Sequence, residues 1–233
     1  MVSRRSTRDF LDTPVAESVI SELLADGLTA PSWSNTRPYM VAVATGQLKD
    51  DISNDLLTHF SSLVDLRYGS WSQKLRALVS GLPFPRTDFY LPLTNPSDIQ
   101  PRRIRLAKAL YGHLGIARED IRGREAEIGR NFAFFGAPVV LFVFARSRMG
   151  VYSPLDAGFF LENLALSAEE RGLGTCIQGF LAAWSAPIRK RFQVPRGYKL
   201  LVGVSLGYAS DHPINQFVPP GTEPSVIRIP PRQ

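Results

Sequence analysis

Three arginines and two hydroxyl side chains fall within five residues at Arg4-Arg5-Ser6-Thr7-Arg8. A guanidinium pairs bidentately with phosphate oxygens and keeps its charge at any working pH. The segment is a poor start to a hydrophobic core and a good way to hold a phosphate. A second polar cluster follows at Pro31-Ser32-Trp33-Ser34-Asn35-Thr36-Arg37-Pro38. Other chemistries find no matching pattern. There is no P-loop. Gly172, Gly174 and Gly179 have the wrong spacing for a dinucleotide fingerprint and run from helix to strand rather than strand to helix. His59, His113 and His212 lie far apart, so no metal site is expected. The single cysteine, Cys176, has no basic neighbour in sequence and reads as a small buried thiol rather than a nucleophile. It excludes an internal disulfide and fits a reducing cytoplasm.

Positioning these clusters requires a mixed set of elements. Thr13-Pro14 gives a capping hydroxyl followed by proline, which predicts a helix start. Val15, Val19, Ile20, Leu23, Leu24 and Leu28 recur at helical spacing, and the helix is expected to run out near Ala30-Pro31. Tyr39 to Thr45 reads as a strand ended by Gly46, and Leu48 to Leu66 as a second helix. Helix is also expected through Ile104 to Tyr111 and Glu119 to Phe134. Val139 to Phe144 is a continuous apolar run and hence a buried strand. Asp156 to Arg171 is a mostly apolar helix, stopped by Gly172-Leu173-Gly174. Thr175 to Gln178 and Lys199 to Tyr208 read as strands, with a short helix from Trp184 to Phe192 between them. Gly81 to Pro101 is irregular and carries prolines with Phe84, Phe89 and Tyr90 between them. Such a loop either covers a site or is a stiffened surface connection, and both readings stay open. The tail from Asp211 on has no periodicity and is expected to be extended.

The 233 residues suffice for one α+β domain with a proper core, so residues 1–233 are read as a single unit. Met1-Val2-Ser3-Arg4-Arg5 leads into no apolar stretch, so no secretory signal is expected. The longest apolar run, Phe132 to Ala145, is broken by Gly136 and Pro138 and falls short of the roughly 20 residues a bilayer requires. Net charge is +6. Arg118, Arg122, Arg124 and Arg130 alternate with Glu119, Asp120, Glu125 and Glu127, the pattern of a solvated helix face rather than a nucleic-acid stripe.

Several segments together resemble the FMN-dependent nitroreductase family, in its nitrobenzoate-reductase-like branch. Arg4-Arg5-Ser6-Thr7-Arg8-Asp9-Phe10 is similar to the family's opening motif. Ala30 to Pro38 resembles its Pro-Ser-x-x-Asn-x-Gln-Pro turn, with Arg37 where glutamine is usual. Tyr111 to Ile116 and Arg130 to Pro138 resemble the branch. Glu170 to Gly179 is similar to the segment that passes the flavin ring, and Gly203 to Tyr208 with Pro213-Ile214-Asn215 to the last strand and the start of the tail.

The resemblance implies a nitroreductase-like α+β fold: a mixed, mainly antiparallel sheet flanked by helices. It also implies a C-terminal tail exchanged in an intertwined homodimer. Arg4, Arg5 and Ser6 would hold the FMN phosphate and ribityl chain, and Arg8 would lie near the pyrimidine edge. Pro31, Ser32, Trp33 and Asn35 would reach the partner subunit's flavin. Ile177, Gln178 and Gly179 would offer backbone contacts close to N5. NAD(P)H is the implied co-substrate and an electron-poor small molecule the acceptor, with the chemistry on the flavin and no catalytic side chain. A flavin-sequestering protein and a specialised dehydrogenase of the same fold are the alternatives. One departure stands out. The family usually has a basic residue just after the position of Asn215, and here Gln216-Phe217-Val218-Pro219-Pro220 follows.

Overall fold

A computed structural model describes residues 4–81, 84–89 and 95–221. Its centre is strand β2 (Val139–Arg146), in which every residue but Arg146 is buried. Strand β1 (Tyr39–Thr45) pairs on one side and β4 (Tyr198–Gly207) on the other, with β3 (Gly174–Gln178) outside β4. The strand order is β1-β2-β4-β3, and all neighbours run antiparallel. The unbroken apolar sequence of β2 follows from this position, because both of its faces are covered. Strand alternation sends Val140, Phe142 and Phe144 into one core with Ile52, Leu56, Phe132 and Leu181. Val139, Leu141 and Val143 enter the other, with Ile20, Leu23, Phe160 and Leu164.

Helices α1 (Glu17–Leu28) and α6 (Tyr152–Glu170) form the second layer. Helix α1 starts later than Thr13-Pro14 predicts: Ala16 is still extended at φ −62° and ψ 141°. Tertiary pairing overrides the local start signal. Phe10 bridges Ala209, Leu11 N donates to Tyr208 O, and Val15 is buried in the core while the chain is extended. Leu28, expected on the buried face, is exposed at the last turn.

Contact between α1 and α6 is close at Gly27, where a methyl group would lie 2.5 Å from the Phe160 ring. Gly27→Ala is therefore expected to destabilise the fold by about 1–3 kcal/mol. An unchanged urea midpoint would mean that Phe160 swings aside freely. Beside this contact Ser167 Oγ donates to Asp26, and Arg171 lies 2.9 Å from the same carboxylate. The Ser167 hydrogen bond, followed by Arg171, outweighs burial and holds the Asp26 carboxyl below its ordinary range. A depressed folded-state value contributes stability that is present above the unfolded carboxylate pKa of about 4 and is lost as pH falls through the folded value. Asp26→Asn is expected to flatten that part of the acid unfolding curve, read by far-UV circular dichroism.

Helix α2 (Gly46–Tyr68) covers the first core. Helix α3 (Trp71–Ser80), not anticipated from periodicity, is opened by a capping box between Ser70 and Gln73. Helix α4 (Gln100–His113) follows. Helix α5 (Ile121–Gly129) is shorter than the expected span to Phe134, because the chain turns after Gly129 to send Phe132 and Phe134 into the core. Helix α7 (Ser185–Arg189) is likewise shorter than expected. Part of the 81–101 loop, residues 82–83 and 90–94, lies outside the described residues. The stretch 84–89 is fastened to the core: Arg86 N donates to Ala183 O, and Asp88 accepts from Ser185 Oγ and from Leu200 N. The last of these reaches β4 beside the place where the β2–β4 register shifts between Val143 and Phe144. The tail is not extended throughout. Pro213–Gln216 forms a 3-10 turn, capped by His212 Nδ1 accepting from Ile214 N. Residues 222–233, the remainder of the tail for which exchange is expected, lie outside the described residues.

Candidate functional site

The Arg4–Arg8 segment lies along the open edge of β3. Ser6 bridges Thr175 in parallel, and Thr7 N donates to Thr175 O at 2.9 Å. This parallel bridge is isolated and adds no strand to the antiparallel sheet. Approach is close enough to require glycine at 174, because a Cβ there would lie 2.3 Å from Thr7 Oγ1. The side chains around this strip then separate by role. Arg5 is exposed and donates to Asn215 O at 3.4 Å. Arg4 lies 3.7 Å from Glu162 of α6. Together Arg5, Thr7, Glu169, Gly172, Gly174 and Asn215 line much of a cavity of about 220 Å³.

Two residues to which the sequence assigned no site role hold this strip in place. Asn215 Oδ1 accepts from Arg8 N at 2.8 Å, while its Nδ2 donates to Asp9 O at 2.8 Å and Ser210 O at 2.9 Å. Arg130 donates to Arg8 O at 2.7 Å and pairs with Asp9 and Glu127. Arg130 is therefore not on a solvated helix face, as its alternation with acids suggests. It lies past the end of α5 and clamps the N-terminal strip. The likeness of Arg130 to Pro138 to one branch of the family is the sequence signal that touches it.

Strand alternation decides what β3 offers. Thr175 O faces away from β4, towards Thr7, so two residues on Ile177 turns its N–H and C=O to the same open edge. Ile177 and Phe180 are exposed there, and nothing lies within 4 Å of the place a Gly179 Cβ would take. The Gln178 side chain is not available. It is buried, donates to Asn131 O at 3.0 Å and accepts from Ser205 Oγ. Burial pushes the Cys176 thiol up to about 11, against the opposing pull of Arg8's charge. A thiol so buried is a poor nucleophile.

The second cluster sits elsewhere. Trp33–Asn35 is a 3-10 turn, and Ser34, Asn35 and Arg37 have φ of 50°, 55° and 44°, in the left-handed region. Trp33 N donates to Asp156 at 2.9 Å, and its ring stands 4.1 Å from that of Tyr152. Arg37 donates to Leu28 O and Asn35 O and clasps the turn. Tyr152 and Glu162, the contacts of Trp33 and Arg4, are about 15 Å apart along α6. Within one chain the structure brings together Arg4, Arg5, Ser6, Arg8, Ile177, Gln178 and Gly179. It leaves Pro31, Ser32, Trp33 and Asn35 at the other end of an exposed face of α6 made by Tyr152, Leu155, Phe159 and Glu162.

Arg5 at an open cavity, and a strand N–H beside uncovered space, form a donor set that fits a phosphorylated, flat heterocycle. Among the described residues no group of His, Cys, Asp or Glu is arranged to hold a metal ion, and no helix is long and apolar enough to cross a membrane. Comparison with known proteins follows the same line. The model of the nitroreductase family matches residues 1–208. A 4-nitrobenzoate reductase of Pseudomonas putida is 33% identical over 212 residues, covering 91% of this chain and 85% of that protein. A nitrobenzene nitroreductase of Ectopseudomonas oleovorans is 33% identical over 215 residues, with 92% and 87% covered. The solved structure of the FMN-dependent nitroreductase NfnB from Mycobacterium smegmatis in complex with NADPH superposes with a TM-score of 0.83. It is 27% identical, with 98% of this chain and 95% of that one covered.

Proposed function

The chain belongs to the nitroreductase family, and on that premise we propose that it is an FMN-dependent NAD(P)H oxidoreductase. Its acceptors are nitroaromatics, quinones or similar electron-poor molecules, and it works as a cytoplasmic homodimer. The observation that carries this reading is the Arg4–Arg8 strip zipped onto the open edge of β3, which puts the cations and the Ile177 N–H on one edge. When bound, FMN supplies the hydride chemistry, oxidising NAD(P)H and reducing the acceptor in turn.

The protein's own part is binding and electrostatics. Arg4, Arg5 and Ser6 hold the phosphate and ribityl chain. Arg5, beside the Asn215 carbonyl, brings positive charge to the place where the sequence lacks a basic residue after Asn215. Arg8 sets positive charge at the pyrimidine edge, where negative charge develops on reduction. Ile177 and Gly179 meet the N5 side through their backbone, and Gln178 stiffens the strand through Asn131 and Ser205. Exposed Trp33, Tyr152, Leu155 and Phe159 form an apolar face that fits a second copy of the chain. Across it, Pro31, Ser32, Trp33 and Asn35 reach the partner subunit's flavin, and the tail is exchanged.

The test is the visible spectrum of the purified protein during an anaerobic NADPH titration. A yellow protein that bleaches, and recovers colour when a nitroaromatic is added, is the expected result. A yellow protein that neither NADPH nor NADH bleaches would turn the reading to flavin sequestration. A protein that stays colourless with added FMN would end it.

A further inference from the structure

The turn at Ser32–Arg37 is strained, exposed and pinned from below by one buried carboxylate. Three non-glycine residues within four positions occupy the left-handed region, an arrangement that persists only where surrounding contacts over-determine it. Most of those contacts are local. Ser32 Oγ accepts from Arg37 N at 3.1 Å, Thr36 Oγ1 donates to Trp33 O at 2.7 Å, and Asn35 N donates to Ser32 O at 3.0 Å. They fix the shape of the turn, and Arg37 Nε, donating to Leu28 O at 3.2 Å, ties its far end to α1.

The Trp33 end of the turn is held from α6. Asp156 is 2% exposed, and its Oδ2 accepts from Trp33 N at 2.9 Å. Tyr152, one helical turn earlier, stacks under the Trp33 ring. Water is largely excluded around Asp156. Burial pushes the neighbouring Tyr39 phenol up against the pull of Arg37, and the Asp156 charge adds to that push. A charge-assisted hydrogen bond in such surroundings is strong and directional.

Resting on the reading of a flavin site shared between subunits, we infer that Asp156 is a positioning residue for the partner subunit's FMN. It touches no cofactor. Its carboxylate holds the strained turn so that Trp33 and Asn35 project from the dimer face in the conformation that the neighbouring site requires.

Three proteins test this. Asp156→Ala is expected to weaken FMN binding about tenfold, measured by quenching of FMN fluorescence, with the dimer retained on size-exclusion chromatography. Asp156→Asn keeps an acceptor for Trp33 N–H and should stay within about threefold of wild type. If the alanine variant does not fold, Asp156→Ser takes its place, since it keeps a polar group but cannot reach Trp33 N–H. The third protein is a mixed dimer of differently tagged Arg4→Ala and Asp156→Ala chains. If Asp156 acts across the interface, one composite site carries both defects and the other none, so the mixed dimer binds one FMN as tightly as wild type. A mixed dimer with no tight site overturns the inference, as does an Asp156→Ala homodimer that binds FMN like wild type. Both results leave the flavin reading standing. A wild-type protein that takes up no FMN ends both.

Discussion

Replacing Asn215 by alanine is expected to raise the FMN dissociation constant about 100-fold while leaving the sheet folded. The side chain makes three hydrogen bonds to three separate backbone groups, Arg8 N, Asp9 O and Ser210 O. Each contributes about 1 kcal/mol net, so their joint loss amounts to roughly 3 kcal/mol of ordering in the strip that carries the arginines. The cost falls on the strip because the two cores do not touch Asn215, which lies beyond the last strand. The measurement is a titration of FMN against the apoprotein, with thermal unfolding alongside. A dissociation constant within threefold of wild type would show that Thr7 and Arg130 hold the strip unaided. Asn215→Asp is a sharper comparison. It can still accept from Arg8 N, but it places a carboxylate where an amide donates to two carbonyls. It is expected to bind no better than alanine.

Asn215 also marks where the sequence stops being legible. The strands were readable because their signals are local: the unbroken run of β2, the glycines that close α6 and open β3, and the apolar run of β1 ended by Gly46 each lie in one short window. The strip of arginines and the Pro31–Asn35 turn stood out by composition, and the family resemblance supplied their roles. What could not be read is the set of residues that hold these pieces, because their contacts are remote. Asn215 meets Arg8 across 207 positions, Arg130 meets Arg8 across 122, and Asp156 meets Trp33 across 123. Nothing near a lone Asn, Arg or Asp in sequence announces such a partner. Arg130 was positively misleading, because its spacing from nearby acids satisfies a surface-helix rule while the chain turns away from the helix just before it.

Two further differences have physical causes of another kind. Thr13-Pro14 meets the local rule for a helix start, yet pairing at Phe10 and Leu11 and the burial of Val15 keep the chain extended to Ala16. Helix α3 went unread although Ser70-Trp71-Ser72-Gln73 carries a capping-box signature. Its large apolar residues, Trp71, Leu75, Leu78 and Val79, are exposed and only Ala77 is buried, so among the described residues its pattern answers to little core. A start signal without a buried face is weak evidence for a helix when only the sequence is in view.

Arg8→Ala is expected to lower the two-electron midpoint potential of bound FMN by roughly 30–60 mV, and to slow its reduction by NADPH about tenfold or more. The substitution is clean because the anchor of Arg8 is its main chain. Arg8 N donates to Asn215 and Arg8 O accepts from Arg130, and both bonds survive loss of the side chain. What disappears is a positive charge near β3, the same charge that opposes the rise of the Cys176 thiol. The sign follows directly. Reduction adds negative charge at the N1–C2=O edge, a guanidinium there favours the reduced form, and its removal therefore makes reduction harder. Removing a hydrogen bond to a charged group costs about 1.5–3 kcal/mol, and 30 mV corresponds to about 1.4 kcal/mol for a two-electron couple. Arg8→Lys keeps the charge but loses the planar fork, so its potential should fall between alanine and wild type. FMN affinity separates the two roles a cation can have at this place. If Arg8 mainly binds the phosphate, alanine weakens affinity and leaves the potential of the remaining bound flavin unchanged. If it sits at the pyrimidine edge, the potential moves even in the fully loaded protein, and that shift assigns Arg8 to the ring and leaves Arg4 and Arg5 to the phosphate.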